Sequence, residues 1–375
     1  MEEMKNQSSQ TPTSDKANTR VLVTGCTGFL GSHTTIQLLA AGYKVRGTVR
    51  SLENKSKLKF LDEFLLSHPD LKYNIELVEA DLLDATSWEF ACKDCQYVMH
   101  IASPFPAKEP KIPNDVIQPA VQGTAHVIRA AAACNVKRLV LTSSVSAIVG
   151  QSHETREYNE RDWGDLETIT SSYPKSKILA ERTAWRYAGN HANLEVVSIN
   201  PAFIIGPTLT TSPFTSASLM LKLLNGTIYG LPKIMAQTVD VRDVAAAHIR
   251  AIEVPDAKGN RYACVGTNSW AIDVSRVLKA QMEQYGYGVT CRELTYCTVK
   301  MVALLDAEVR GVLPFVGTSR TVQNDKIRAG LGVSFRGQEE SVRDMAWSLV
   351  KMGYLKDRTE GRAGQFEAYP DGQYR

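Results

Sequence analysis

Three glycines at positions 25, 28 and 31 constrain this chain more than any other feature. They follow the apolar run Val21-Leu22-Val23 and lead into a helical pattern that starts near Phe29 and runs to Gly42. The order predicts strand, tight turn, helix. A continuous apolar run suits a strand buried on both faces. Gly25 permits the turn, Gly28 lets a pyrophosphate approach the backbone, and Gly31 lets helix and strand pack closely. The helix start aims free N–H groups and the positive end of its dipole at that phosphate. Leu30, Ile36, Leu38 and Leu39 supply a buried stripe.

Strand-like and helix-like patterns then alternate. Strands are expected at 44–49, 74–80, 96–102, 137–142, 194–200 and 261–265, with long helices at 116–134 and 172–189. This rhythm predicts an α/β fold, a doubly wound parallel sheet of the NAD(P)-binding Rossmann type. After Pro201 the βα rhythm is lost. The expected division is a dinucleotide-binding domain over 20–205, rejoined by 236–265, and a smaller mixed α/β substrate lobe from 206–235 and 266–355. Residues 1–19 read as a disordered arm and 356–375 as a flexible tail.

Composition narrows the class. The 43 basic and 40 acidic residues leave a net charge of only +3, too small an excess for a nucleic-acid surface. No apolar run reaches membrane-spanning length. The arm, with Glu2, Glu3 and Asp15, lacks the apolar core of a signal peptide, so a cytoplasmic setting is expected. Seven cysteines, an odd number, suit free thiols in a reducing compartment. Cys92 and Cys95 form a C-x-x-C with no second pair at zinc spacing; both read as structural, and no metal site is expected.

The second strand indicates the cofactor. NAD-type folds place a carboxylate at its end, on the adenosine ribose. Here Val49-Arg50 stands there, with Arg46 on the strand and Lys55, Lys57 and Lys59 after it. A guanidinium can grip a 2′-phosphate bidentately where a carboxylate would repel it. NADPH is therefore expected, with Arg50 and Lys57 as the clamp. Asp81, at the end of strand three, is placed for the adenine amino group, and Leu82 for the ring face.

Tyr173 and Lys177 form Y-x-x-x-K at the start of a long helix, one turn apart on one face. A free phenol titrates near pKa ~10. A neighbouring ammonium, together with oxidised nicotinamide, is expected to lower that value and let Tyr173 exchange a proton. Lys177 can also hold the nicotinamide ribose. Ser144, at the end of strand five, would polarise a substrate carbonyl. Ser171 or Ser172 is expected to cap the helix.

This order of motifs resembles the extended short-chain dehydrogenase/reductase superfamily (the NAD-dependent epimerase/dehydratase family), in its dihydroflavonol-4-reductase-like branch. That branch includes cinnamoyl-CoA reductases and fungal methylglyoxal and aldehyde reductases. The residues that carry the resemblance are Val23 to Gly31, Val45 to Arg50, His100 to Pro104, Leu141 to Val145, Tyr173 to Lys177 with Ala180 to Trp185, Asn200 to Pro207, and Val239 to Ala245. The resemblance implies Ser144, Tyr173 and Lys177 as the catalytic set. It implies NADP at Thr24, Gly25, Thr27, Gly28, Phe29, Leu30, Gly31, Arg50, Lys57, Asp81, Leu82, Ala102, Tyr173 and Lys177, and, from the family pattern alone, at Pro201, Phe203 and Ser216. Two departures limit the substrate. Val149 stands where flavonoid reductases carry an Asn, and Ser171 to Ser176 lacks the aromatic and Cys-containing run of cinnamoyl-CoA reductases. Neither plant substrate is carried over.

Candidate substrate contacts are Ser103, Phe105, Val149 and His153, with 209–214 as a further wall. His100, His248, Asp240, Asp243, Asp162 and Trp163 read as structural. The expected protein is an NADPH-dependent reductase of an aldehyde or ketone, a monomer or homodimer whose partner is a small carbonyl compound. Its alternatives are a nucleotide-sugar epimerase or dehydratase, a hydroxysteroid dehydrogenase, and a non-catalytic NADPH sensor.

Overall fold

The structure is a computed structural model that describes residues 16–105, 109–191, 193–211, 214–370 and 374. Seven parallel strands form its centre, in the spatial order 261–264, 195–201, 138–142, 97–100, 20–23, 44–49 and 75–79. The interior strands are apolar on both faces because helices cover both. Val21, Leu22, Val23, Leu139, Val140 and Val197 have no exposed surface. Each such side chain contributes roughly 1.5–3 kcal/mol of burial. The helices Phe29–Ala40 and Val241–Glu253 pack on one face. Asn114–Ala133 and Ser172–Asn190 pack against each other on the other face.

Strand order reverses between 20–23 and 97–100. A crevice opens there at the carboxyl ends of the strands, where open α/β sheets bind ligands. Beyond the sheet, strands Phe203–Ile205, Met235–Asp240 and Thr267–Trp270 make a small mixed sheet, and Arg320–Val322 pairs with Arg156–Tyr158. A second apolar core draws Met220, Leu223, Leu278, Met282, Met345 and Leu349 together around the helices Thr215–Leu224, Ala271–Met282 and Gln338–Lys351.

Both chain ends depart from expectation where they are described. The arm lies mostly outside the described residues, but Lys16 binds Glu253 at 2.6 Å. Among the described residues after 355, expected as a flexible tail, several are packed. Thr359 and Ala363 are fully buried, and Tyr369 reaches the glycine-loop helix, where its hydroxyl meets His33 Nδ1 at 2.5 Å. Tyr374 lies against Phe64, His68 and Tyr369. The polar composition of the segment concealed aromatic anchors spaced along it. No helix among the described residues is long and apolar enough to cross a membrane.

Candidate active site

The glycine loop folds as its sequence requires. Gly25 takes φ +66°, a left-handed conformation that favours glycine, and its N–H is held by Thr48 Oγ1 at 3.0 Å. A Cβ on Gly31 would stand 2.1 Å from the Gly25 carbonyl, so no other residue fits there. Ser32 N–H makes the first bond of the helix, to Gly28 O at 2.9 Å. The N–H groups of Phe29, Leu30 and Gly31 precede it and have no acceptor among the described residues. Such a donor set fits a dinucleotide pyrophosphate. The half-buried Thr27 and exposed Gly28 border it, whereas the Leu30 side chain is buried in the core.

The Thr24 side chain ties two strand ends together. It is fully buried, and its hydroxyl accepts from the N–H groups of Ile101 and Ala102, both at 2.9 Å. It lies 3.1 Å from His100 Nδ1, which leaves its own proton for that nitrogen. His100 is thereby the neutral imidazole with hydrogen on Nε2, and burial pushes its pKa down to about 3. The pair ties the ends of strands one and four together and sets Ala102 against Gly25. His248 is structural in the same way, between Thr142 Oγ1 at 2.7 Å and Val244 O at 2.8 Å.

Arg50 and Lys57 are exposed, and neither forms an ion pair among the described residues. Arg46 belongs to another task. It is buried, bound to Glu76 at 2.9 Å and to the carbonyls of Ala91 and Lys93 at the end of helix Ala85–Cys92. Asp81 is exposed and turns one oxygen to Leu83 N–H at 2.8 Å. Leu82 is half-buried, and its carbonyl meets His126 Nδ1 at 2.9 Å. Asp240 and Asp243 are structural, as expected. Asp240 pairs with Arg242 at 2.8 Å, and Asp243 pairs with Arg336.

Across the crevice, Ser144, Tyr173 and Lys177 come together. Ser144 Oγ accepts from Ser146 N–H at 3.0 Å, and its proximity lowers the titration of the Tyr173 phenol. Lys177 Nζ donates to Thr142 O at 3.2 Å and stands 5.9 Å from the centre of the Tyr173 ring. Burial dominates both titrations. It pushes the Tyr173 phenol up to about 12, opposed only by Ser144, and the Lys177 ammonium down to about 8, opposed by Glu181. The expected lowering invokes oxidised nicotinamide beside Lys177; in the protein alone burial sets the phenol. The phenol is desolvated beneath Phe105, whose ring lies 4.5 Å from it, and the ammonium is engaged with a carbonyl.

Neither Ser171 nor Ser172 caps the catalytic helix Ser172–Asn190 through its side chain. Gln151 Oε1 accepts from Ser171 N–H at 3.2 Å, and Glu109 Oε1 accepts from Ser172 N–H at 2.8 Å. Gln151 and Glu109 carried no signal in the sequence, because each reaches the helix from a distant loop.

Of the remaining candidates, Ser103 shares a cavity of about 10 Å³ with Lys177, Ser143 and His100. Phe105 lies on Tyr173, and its carbonyl accepts from Thr215 Oγ1 at 3.3 Å, beside the buried Ser216. Phe214 stacks on Phe29 at 4.1 Å, while positions 212–213 of the expected wall lie outside the described residues. Pro201 is buried, and its carbonyl holds Val145 N–H at 2.9 Å; Phe203 is half-buried on the neighbouring strand. Two candidates fall elsewhere. Val149 is packed into the main core, and His153 lies against Phe315. Cys92 and Cys95 are buried free thiols, and no metal-binding cluster occurs among the described residues.

The model of the NAD dependent epimerase/dehydratase family matches residues 21–265. A dihydroflavonol 4-reductase of Arabidopsis thaliana is 36% identical over 276 residues, 71% of this chain and 70% of that protein. Cinnamoyl-CoA reductase 1 of Petunia hybrida is 35% identical over 345 residues, 91% of this chain and 95% of that protein. Gre2 of Candida albicans, solved in complex with NADPH, superposes with a TM-score of 0.72 at 26% identity, covering 89% of this chain and 99% of its own. The chain belongs to the NAD-dependent epimerase/dehydratase family, in the dihydroflavonol-4-reductase-like branch of the extended short-chain dehydrogenases/reductases.

Proposed function

We propose that the chain is an NADPH-dependent reductase that turns an aldehyde or ketone into an alcohol. The observation that carries this reading is the grouping of Tyr173 and Lys177, whose Nζ stands 5.9 Å from the phenol ring, with Ser144 at the end of the adjoining strand, opposite the glycine loop. Relatives named as reductases, and a structural neighbour solved with NADPH, support it. When bound, the reduced nicotinamide supplies a hydride to the carbonyl carbon.

The chain's own residues do the rest. Phe29, Leu30 and Gly31 offer backbone N–H groups to the pyrophosphate, and Arg50 and Lys57 offer two unpaired cations to a 2′-phosphate. Ser144 orients the substrate oxygen. Tyr173, held protonated by its buried setting, donates a proton to that oxygen as negative charge develops on it. Lys177 would hold the nicotinamide ribose of a bound cofactor and steady the phenolate left behind. Phe105 keeps water from the phenol. A cytoplasmic setting belongs to the same reading, since all seven cysteines are free.

The test is NADPH oxidation by the purified protein over small aldehydes, dicarbonyls, aromatic aldehydes, flavonoids and ketosteroids. Turnover on any class is the expected result and identifies the substrate family. Bound NADPH with no turnover across the panel would favour a sensor. Equal affinity for NADH and NADPH would move the reading toward the sugar epimerases.

A further inference from the structure

Glu181 lies one helical turn beyond Lys177 and has no exposed surface. A carboxylate survives such burial only when it is paired and fully hydrogen-bonded. Arg261, from the edge strand of the main sheet, donates from Nε to Oε1 at 2.6 Å and from Nη2 to Oε2 at 3.3 Å. Trp185 Nε1 donates to Oε1 at 3.1 Å. Ser143 Oγ donates to Oε2 at 2.6 Å, and Asn200 Nδ2 to the same oxygen at 2.9 Å. Arg261 is itself fixed, by the carbonyls of Glu160 and Asp162 and by Trp163, whose ring centre lies 3.7 Å away.

Two of these bonds lead to Ser144. Ser143 precedes it in the chain, and Asn200 also donates to the Ser144 carbonyl at 3.2 Å. A third link is electrostatic and reaches Lys177. We propose that Glu181 is a positioning residue for the reaction: one buried carboxylate fixes the loop that carries Ser144 and sets the charge environment of Lys177. The kinetic part of this proposal rests on the reductase reading.

The titratable groups facing Lys177 are Tyr173 and Glu181 on its own helix and neutral His100 from the fourth strand, with Arg261 behind Glu181. Of these only Glu181 opposes the burial that lowers the Lys177 ammonium to about 8. Replacing the carboxylate by an amide removes that opposition and leaves the shape intact.

The experiment compares the full chain with Glu181→Gln and Ser143→Ala. Lys177 is titrated without cofactor by NMR of protein labelled with ¹⁵N-lysine, its signal assigned by loss in Lys177→Met. In Glu181→Gln the Lys177 midpoint is expected to fall by about one pH unit. The alkaline limb of kcat for carbonyl reduction falls with it, and KM for NADPH stays within about twofold. Ser143→Ala keeps the carboxylate, so the midpoint stays and kcat drops about three- to tenfold. A merely structural role would lower the melting temperature without moving the lysine midpoint. An unmoved midpoint in folded Glu181→Gln, or parental kcat in Ser143→Ala, overturns the proposal. If Glu181→Gln does not fold, Ser143→Ala decides alone. If the chain reduces no carbonyl, the cofactor-free titration still decides, so the two failures are read separately.

Discussion

The two sides of the crevice are built on opposite principles. On the cofactor side the groups offered to a ligand are open: three backbone N–H groups, exposed Arg50 and exposed Lys57, none with a partner among the described residues. On the catalytic side the groups are buried and interlocked. Ser144, Glu181, Asn200 and Arg261 form one hydrogen-bonded assembly across two strands, a loop and a helix, and Lys177 beside it donates to Thr142 O. The difference follows from what each side handles. A pyrophosphate brings its own charge and needs donors in waiting. Proton transfer needs a dry, fixed geometry in which small changes of field move a pKa.

Removing the central proton donor should test that contrast most strongly. Tyr173→Phe is expected to lower kcat by about 10²- to 10⁴-fold while NADPH binding, measured by fluorescence titration, stays nearly unchanged. An active variant would place the proton donor elsewhere.

Acid should find the buried side next. His33, His100 and His248 are held neutral by burial, at about 3, 3 and 4 against 6.5 in the unfolded chain. Below 6.5 the unfolded state binds more protons, so stability is fully present above that pH and is lost as pH falls toward the folded values. Each histidine is expected to remove about 2 kcal/mol by pH 5. Urea midpoints at pH 7 and pH 5 measure it, and equal midpoints would mean that these rings are not buried neutral.

On the open side the effect is one of selectivity. Arg50→Ala should cost about 10- to 100-fold in NADPH affinity, with NADH affinity unchanged, since one charged hydrogen-bonding group contributes about 1.5–3 kcal/mol. Competition titrations with both cofactors would expose an error as a parallel loss of the two.

The smallest change concerns the packed C-terminal segment. His33 Nε2 donates to Pro207 O at 2.8 Å and Nδ1 faces Tyr369, while Gln37 donates to the Tyr369 hydroxyl at 3.1 Å. Tyr369→Phe removes that hydroxyl and should destabilise the protein by about 1 kcal/mol, seen as a melting shift of a few degrees. No shift would mean that the segment does not hold the glycine-loop helix.

Legibility in the sequence divided along the same line. The glycine loop, the strands and the Tyr173–Lys177 spacing were readable because each is local: a φ above zero at Gly25, a close contact at Gly31, one turn of helix between two side chains. His100 and His248, read as structural, are buried and hydrogen-bonded to threonine hydroxyls. In the sequence Arg46 is only a basic residue on the second strand, and its burial against Glu76 and two carbonyls is visible only in the fold. Val149 and His153 looked like substrate contacts because they follow Ser144 closely, yet the turn Ser146–Val149 packs one into the core and sends the other toward Phe315.

What the sequence determined by itself was the succession of elements and the chemistry at their ends, because backbone sterics, hydrophobic period and helix spacing act over a few residues. The tertiary structure alone decided which groups are charged, dry or free. Glu181 meets Arg261 across 80 residues and Tyr369 meets His33 across 336. In the protein alone the Tyr173 phenol is raised by burial, under Phe105 from a loop some 70 residues away. Desolvation and pairing depend on what the rest of the chain places around a group, and no local pattern encodes that.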